Sequence, residues 1–214
     1  FGVVPDYDLD IMREEQPLSD ITQAVLRGVD GVLEKEKPDL VLVQGDTTTA
    51  FAAALAAFYR KIPVGNVEAG LRTHDIGAPY PEEFNRCAVG LISRFHFAPT
   101  SHAADDLLGE GKDPASVFVT GNTVIDAMRY TVREDYRHPV LDWAGDHRLI
   151  FVTAHRRENL GAPMRRMFRA IRQVLDDHPD CRAVYPVHKN PAVRQAAEEA
   201  FRGCENIRLI EPLD

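Results

Sequence analysis

Apolar and polar positions along this chain follow two rhythms that take turns. From Ser19 to Glu36, the apolar residues Ile21, Val25, Val29, Val32 and Leu33 recur at helical spacing, with Ser19 or Asp20 placed to cap the start. Pro38 and Asp39 break the pattern, and Leu40–Val43 is an apolar run of strand length. The alanine-rich stretch from about Thr47 to Tyr59 predicts a helix able to pack closely on a sheet. Ile62–Val67 predicts a second strand. The helix predicted over Pro81–Arg94 opens with Pro81, Glu82 and Glu83, which suit a helix N-terminus by φ and by dipole. Phe95–Ala98, Ser101–Leu108, Val117–Thr120 and Asn122–Arg133 continue as strand, helix, strand and helix.

Residues 137–147 combine Pro, Gly, Asp and His with little periodicity and predict a linker. Beyond it, Leu149–Thr153, Met164–Asp177, Ala183–Val187, Ala192–Phe201 and Ile207–Ile210 resume as strand, helix, strand, helix and strand. Strands separated by helices imply parallel sheets with right-handed crossovers. The expected class is α/β with two Rossmann-like domains. The first spans 1–136 and lacks its first strand. The second, 148–214, is expected to be incomplete in this chain, because three strands make a small independent sheet.

At 44% hydrophobic residues, a chain of 214 can build a real core. A net charge of −8 argues against a general nucleic-acid binder. Cys87, Cys181 and Cys204 form no CxxC pair and no even-numbered framework, which favours a reducing compartment. The apolar run around Ala50–Phe58 falls short of the ~20 residues that span a bilayer. No charged-then-apolar leader stands before Phe1. The expectation is a cytoplasmic protein with no membrane partner.

The candidate chemistry sits where predicted strands end and helices begin, the place at which open α/β sheets bind ligands. Asp46 and Thr47 follow the Leu40–Val43 strand, where backbone N–H groups and threonine hydroxyls can hold a sugar or an anion. Asp46 is equally well placed as an N-cap. Glu68 follows the next strand, where the sheet edge desolvates a carboxylate as acid chemistry requires; an ion pair with Arg72 that only fixes a loop is the alternative. Glu82 and Glu83, with Arg86 one turn on, suit the helix dipole without any function. The company of Asp46 and Glu68 is what makes Glu82 a candidate, since neighbouring carboxylates divide acid and base roles.

In the second half His155, Arg156, Arg157, Glu158 and Asn159 follow a strand and precede a helix, a natural diphosphate site. His188 and Lys189 repeat the arrangement one strand later. Gly121 and Asn122 lead from strand to helix, and turn and cap explain them. Metal binding is disfavoured by the absence of HExxH or zinc spacing. The GxGxxG, GxxxxGK[ST] and GxSxG signatures are absent as well.

Six ordered segments resemble the non-hydrolysing UDP-N-acetylglucosamine 2-epimerase family: QGDTTT from Gln44, VEAGLRT from Val67, PEEFNR from Pro81, TGNTVIDA from Thr120, TAHRREN from Thr153 and YPVHKNP from Tyr185. The resemblance runs over essentially the whole chain. It implies a glycosyltransferase-B-like fold with the nucleotide sugar between two Rossmann-like domains. It also implies Asp46, Glu68 and Glu82 as acid/base carboxylates and His155 as a further active-site group. Thr47, Arg72, Arg86, Arg156, Arg157, Glu158, Asn159 and His188 are the substrate-binding candidates. Some bacterial members bind a second UDP-GlcNAc as activator, for which Arg156, His188 and Gln16 are the matching positions here. A homodimer is implied, and no cofactor or metal.

The family's GTRPE-type opening does not precede Phe1, and its DSGGxxEE-type segment does not occur before Asp214. His74 stands where the family often has Gly, and Cys87 is atypical after Asn85-Arg86. The implied reaction interconverts UDP-GlcNAc and UDP-ManNAc by eliminating UDP across C1–C2 to 2-acetamidoglucal and adding it back. A simple C2 proton is not acidic enough for direct exchange. Asp46 or Glu82 is the expected proton acceptor. The rivals are a hydrolysing epimerase that releases UDP and ManNAc, a UDP-sugar glycosyltransferase of the same fold, and a non-catalytic UDP-sugar-binding module.

Overall fold

A computed structural model describes residues 2–13, 15–154 and 159–213. The chain divides into two compact units, Phe1–Val132 and Arg133–Asp214.

In the first unit, helix α1 (Leu18–Glu36) precedes strand β1 (Val41–Gln44), helix α2 (Thr48–Tyr59), strand β2 (Val64–Val67) and helix α3 (Glu82–Ile92). Strand β3 (Phe95–Ala98), helix α4 (Ser101–Gly109), strand β4 (Val117–Val119) and helix α5 (Thr123–Thr131) complete it. The sheet order is β1-β2-β3-β4, every pair parallel, with Val43 opposite Asn66 and Asn66 opposite His96. Parallel strands in sequential order put successive strand ends, and the turns that leave them, side by side along one edge.

Alanine makes the packing close. Ala50, Ala54, Ala56 and Ala57 of α2 are buried in one cluster with Leu33, Val43, Val64 and Val89. A second cluster gathers Ala69, Ala98, Ala103, Ala104 and Leu107 between the sheet and α4. There Gly70, at φ +88°, lies against α4 so closely that a Cβ would sit 2.0 Å from the Ala103 carbonyl oxygen.

Helix α1 starts one residue earlier than expected. Pro17 occupies the N-cap position and no side chain caps the helix, so neither Ser19 nor Asp20 has that role. Proline's fixed φ suits the helix entrance.

The second unit carries helix α6 (Pro139–Ala144), strand β5 (Arg148–Phe151), helix α7 (Ala162–Asp177), strand β6 (Cys181–Pro186), helix α8 (Pro191–Phe201) and strand β7 (Ile207–Ile210). Its sheet is β5-β6-β7, again parallel. Phe168 packs on Tyr185 and Phe201 at 5.5 and 5.4 Å between ring centroids. The Tyr185 hydroxyl, carried into this core, donates to the Ala154 carbonyl at 2.7 Å.

The 137–147 stretch, expected as a linker, contains α6. His138 caps that helix, Val140 and Ala144 are buried, and the guanidinium groups of Arg182 and Arg208 lie over the Trp143 ring, 4.9 and 4.8 Å from its centroid. Six helical residues are too few for periodicity to announce, and the cation–π contacts come from β6 and β7.

Candidate active site

The turn after β1 is built by glycine and threonine, and this frees the aspartate between them. Gly45 takes φ +73°, where a side chain is disfavoured, and its N–H reaches the Val67 carbonyl at 3.1 Å. The N-cap of α2 is Thr47, whose Oγ1 accepts from Ala50 N at 3.1 Å. Asp46 is therefore not the cap; Thr47 is, with its hydroxyl oxygen accepting from the helix.

The Asp46 carboxylate instead meets Arg86. Oδ2 accepts from Nε at 2.9 Å and lies 2.7 Å from Nη2. Asn85 Nδ2 donates to the Asp46 carbonyl oxygen at 2.8 Å. Two consecutive residues of α3 thus hold the side chain and the backbone of Asp46. Glu82 lies three and four residues before them, on the same helix face, half-buried and with no side-chain hydrogen bond or ion pair among the described residues.

Glu83, the other glutamate of that turn, is buried at 1% exposure. Its Oε1 accepts from the backbone N–H groups of Thr73 and His74 at 2.9 and 3.1 Å, and its Oε2 from Arg86 Nη1 at 3.1 Å. Burial alone would push this carboxyl up, but the two backbone donors and the guanidinium outweigh it and hold the group below its ordinary value. Arg86, expected at the substrate, is shared between two carboxylates of its own chain.

Glu68 follows β2 with φ +68°, a left-handed conformation unusual for a residue with a side chain. Such strain persists where surrounding contacts impose it, and it gathers at functional sites. Asn122 Nδ2 donates to Glu68 Oε1 at 3.0 Å, and Oε2 lies 3.5 Å from where a Cβ on Gly45 would stand. Glu68 is thereby beside the Asp46 turn.

Arg72 does not pair with Glu68. Its Nε and Nη2 donate to the carboxylate of Glu110 at 2.6 and 3.0 Å, and Nη1 donates to the Leu71 carbonyl at 2.8 Å. With 2% of its side chain exposed, it is a buried brace between the turn and the end of α4. Neighbouring Cys87 is part-buried, and burial pushes its thiol up from the ordinary value.

In the second unit, His188 follows β6, exposed, with its Nδ1 accepting from Asn190 N at 3.1 Å. Asn159 is half-buried. His155, Arg156, Arg157 and Glu158 lie outside the described residues. Gln16, ahead of α1, buries its Oε1 with no hydrogen-bond partner among the described residues.

In the first unit the carboxyl ends of β1 and β2 and the start of α3 hold Asp46, Glu68 and Glu82 at one sheet edge, with Arg86 and Asn122 fastening the first two. The family profile described as UDP-N-acetylglucosamine 2-epimerase matches residues 1–214. The chain belongs to the UDP-N-acetylglucosamine 2-epimerase family. It is 54% identical over 214 residues to the UDP-N-acetylglucosamine 2-epimerase of Bacillus subtilis strain 168, a match covering 100% of this chain and 56% of that protein. The S. aureus protein MnaA, solved with UDP, superimposes with a TM-score of 0.91 at 51% identity, over 99% of this chain and 56% of that one. The Neisseria meningitidis UDP-GlcNAc 2-epimerase, solved bound to UDP-GlcNAc, gives a TM-score of 0.88 at 42% identity, over 99% and 59%. The chain thus spans little more than half the length of the relatives it matches.

Sequence reasoning missed two residues here. Along the chain the helix dipole explains Glu83, and turn and cap explain Asn122. The paired glutamates and the strand–Gly–Asn–helix turn were visible, but their partners lie 10 and 54 residues away.

Proposed function

We propose that this chain is part of a UDP-N-acetylglucosamine 2-epimerase that interconverts UDP-GlcNAc and UDP-ManNAc. The observation that carries the reading is the fastening of Asp46 by Asn85 and Arg86 of α3 and of Glu68 by Asn122 at the carboxyl ends of β1 and β2, in a chain 54% identical to a named 2-epimerase.

A carboxylate at this edge removes the C2 proton while the C1–O bond to UDP breaks, leaving 2-acetamidoglucal and UDP. UDP then adds back to C1, and a second acid delivers a proton to the opposite face of C2. Removing and returning a proton on opposite faces needs an acid/base group on each face, separately held. Arg86 holding Asp46 and Asn122 holding Glu68 support that division, and Glu82, free of hydrogen bonds among the described residues, supports a group that changes its proton. His155, Arg156, Arg157, Glu158, Asn159 and His188 take the diphosphate and the developing charge on UDP in this scheme. A second UDP-GlcNAc as activator belongs to the same reading. So do a homodimer and a cytoplasmic location.

The test is incubation of the full-length protein with UDP-GlcNAc in D2O, followed by proton NMR. Deuterium at C2 with a UDP-ManNAc signal is the expected result. Free ManNAc would select the hydrolysing outcome, and an unchanged spectrum from folded full-length protein would overturn the reading.

A further inference from the structure

Asn122 uses both ends of its amide. Its Oδ1 accepts from Val124 N at 2.9 Å and caps α5, while its Nδ2 donates to Glu68 Oε1 at 3.0 Å. An amide can do both because its carbonyl only accepts and its NH2 only donates. The cap decides which way the group faces: with Oδ1 turned to the helix N-terminus, the NH2 is left pointing at Glu68.

The next residue repeats the fastening. Thr123 Oγ1 accepts from Gln44 Nε2 at 2.7 Å, so the first turn of α5 is tied to the ends of both β1 and β2. Helix α5 buries none of its own residues, so these polar ties carry the placement of that turn. Glu68 in turn has one oxygen taken by Asn122 and the other over Gly45, next to Asp46.

The geometry points to Asn122 as a positioning residue that holds the Glu68 carboxylate by one oxygen and leaves the other for chemistry. This rests on the reading that Glu68 takes part in epimerisation. It assigns α5 a task beyond connecting the two units, because the cap of that helix and the orientation of a proposed acid/base group are one side chain.

Two substitutions separate the cap from the positioning. Asn122→Ser and Asn122→Asp both keep a good N-cap acceptor. Serine is too short to bring a donor to Glu68, and aspartate sets a second carboxylate against it. In the full-length protein both are expected to lower kcat about 10- to 100-fold, the scale on which misplaced catalytic groups act. KM should move by less than about twofold, since positioning a catalytic group is felt in the transition state rather than in substrate binding. Tm should stay within about 2 °C, because the cap is kept. In a Glu68→Gln background, Asn122→Ser should cost no further activity, as two residues acting through one contact are non-additive.

Wild-type kcat in Asn122→Ser, or an equal loss in both backgrounds, would overturn the assignment. A wild-type protein that neither epimerises nor exchanges deuterium at C2 would sink the epimerase reading instead. The Asn122 side-chain amide resonance then carries the test by NMR. Glu68→Ala should shift it, and an unmoved resonance would overturn the positioning role.

Discussion

Asp46 and Arg86, forty residues apart, meet through a single carboxylate oxygen: Oδ2 lies 2.9 Å from Nε and 2.7 Å from Nη2. The third arm of the same guanidinium, Nη1, holds Glu83 at 3.1 Å. A planar fork with fixed donor directions can serve two carboxylates in this way, and a lysine ammonium cannot reproduce it. Arg86→Lys in the full-length protein is therefore expected to lower kcat at least about 10-fold. Steady-state kinetics check this, and wild-type kcat would remove Arg86 from the machinery.

Glu83 is expected to matter for stability. Glu83→Gln keeps the shape but turns an amide donor or a neutral oxygen towards Arg86, and should cost about 2 kcal/mol or more of unfolding free energy. Urea denaturation reads this directly, and a loss below about 0.5 kcal/mol would contradict the buried network.

The same group gives the protein a pH signature. The Glu83 carboxyl is held below its ordinary value of 4.5 in the folded state, so its contribution is fully present above that pH. It is lost as pH falls through the lower folded-state value. Stability of the wild type should drop on acidification below pH 4.5, and Glu83→Gln should flatten that part of the curve. Parallel curves for the two proteins would assign acid sensitivity to other carboxylates.

Two glycines on the turns should respond differently to alanine. Gly70→Ala combines a left-handed φ with a Cβ 2.0 Å from a backbone oxygen and should cost about 3 kcal/mol or more. Gly45→Ala meets only the Glu68 carboxylate at 3.5 Å, so only the conformational cost of about 1–2 kcal/mol remains. Thermal unfolding of the two variants tests the order, and equal losses would contradict the close approach of Gly70 to α4.

Asp46→Asn, Glu68→Gln and Glu82→Gln are each expected to lower turnover at least ~10²-fold in full-length protein that remains folded. The deuterium-exchange assay and circular dichroism together decide this. A residue whose amide variant turns over at the wild-type rate leaves the proposed acid/base set.

Much of the architecture was legible because helices and strands are written in local periodicity. Phe95–Ala98 and Ile207–Ile210 form strands at the positions their apolar runs predicted, and the alternation of elements led directly to parallel sheets. The sequence alone also determined that Asp46, Glu68 and Glu82 stand at strand ends or a helix start, because those boundaries are marked by glycine, proline and the ends of apolar runs. What each side chain touches was decided only by tertiary structure. Thr47 rather than Asp46 took the cap, Arg72 went to Glu110 rather than Glu68, and Asn122 reached back 54 residues to Glu68. The physical reason is that a hydrogen-bond partner depends on which strand ends the crossovers bring side by side. Spacing along the chain records the turn, and the sheet order selects the neighbour.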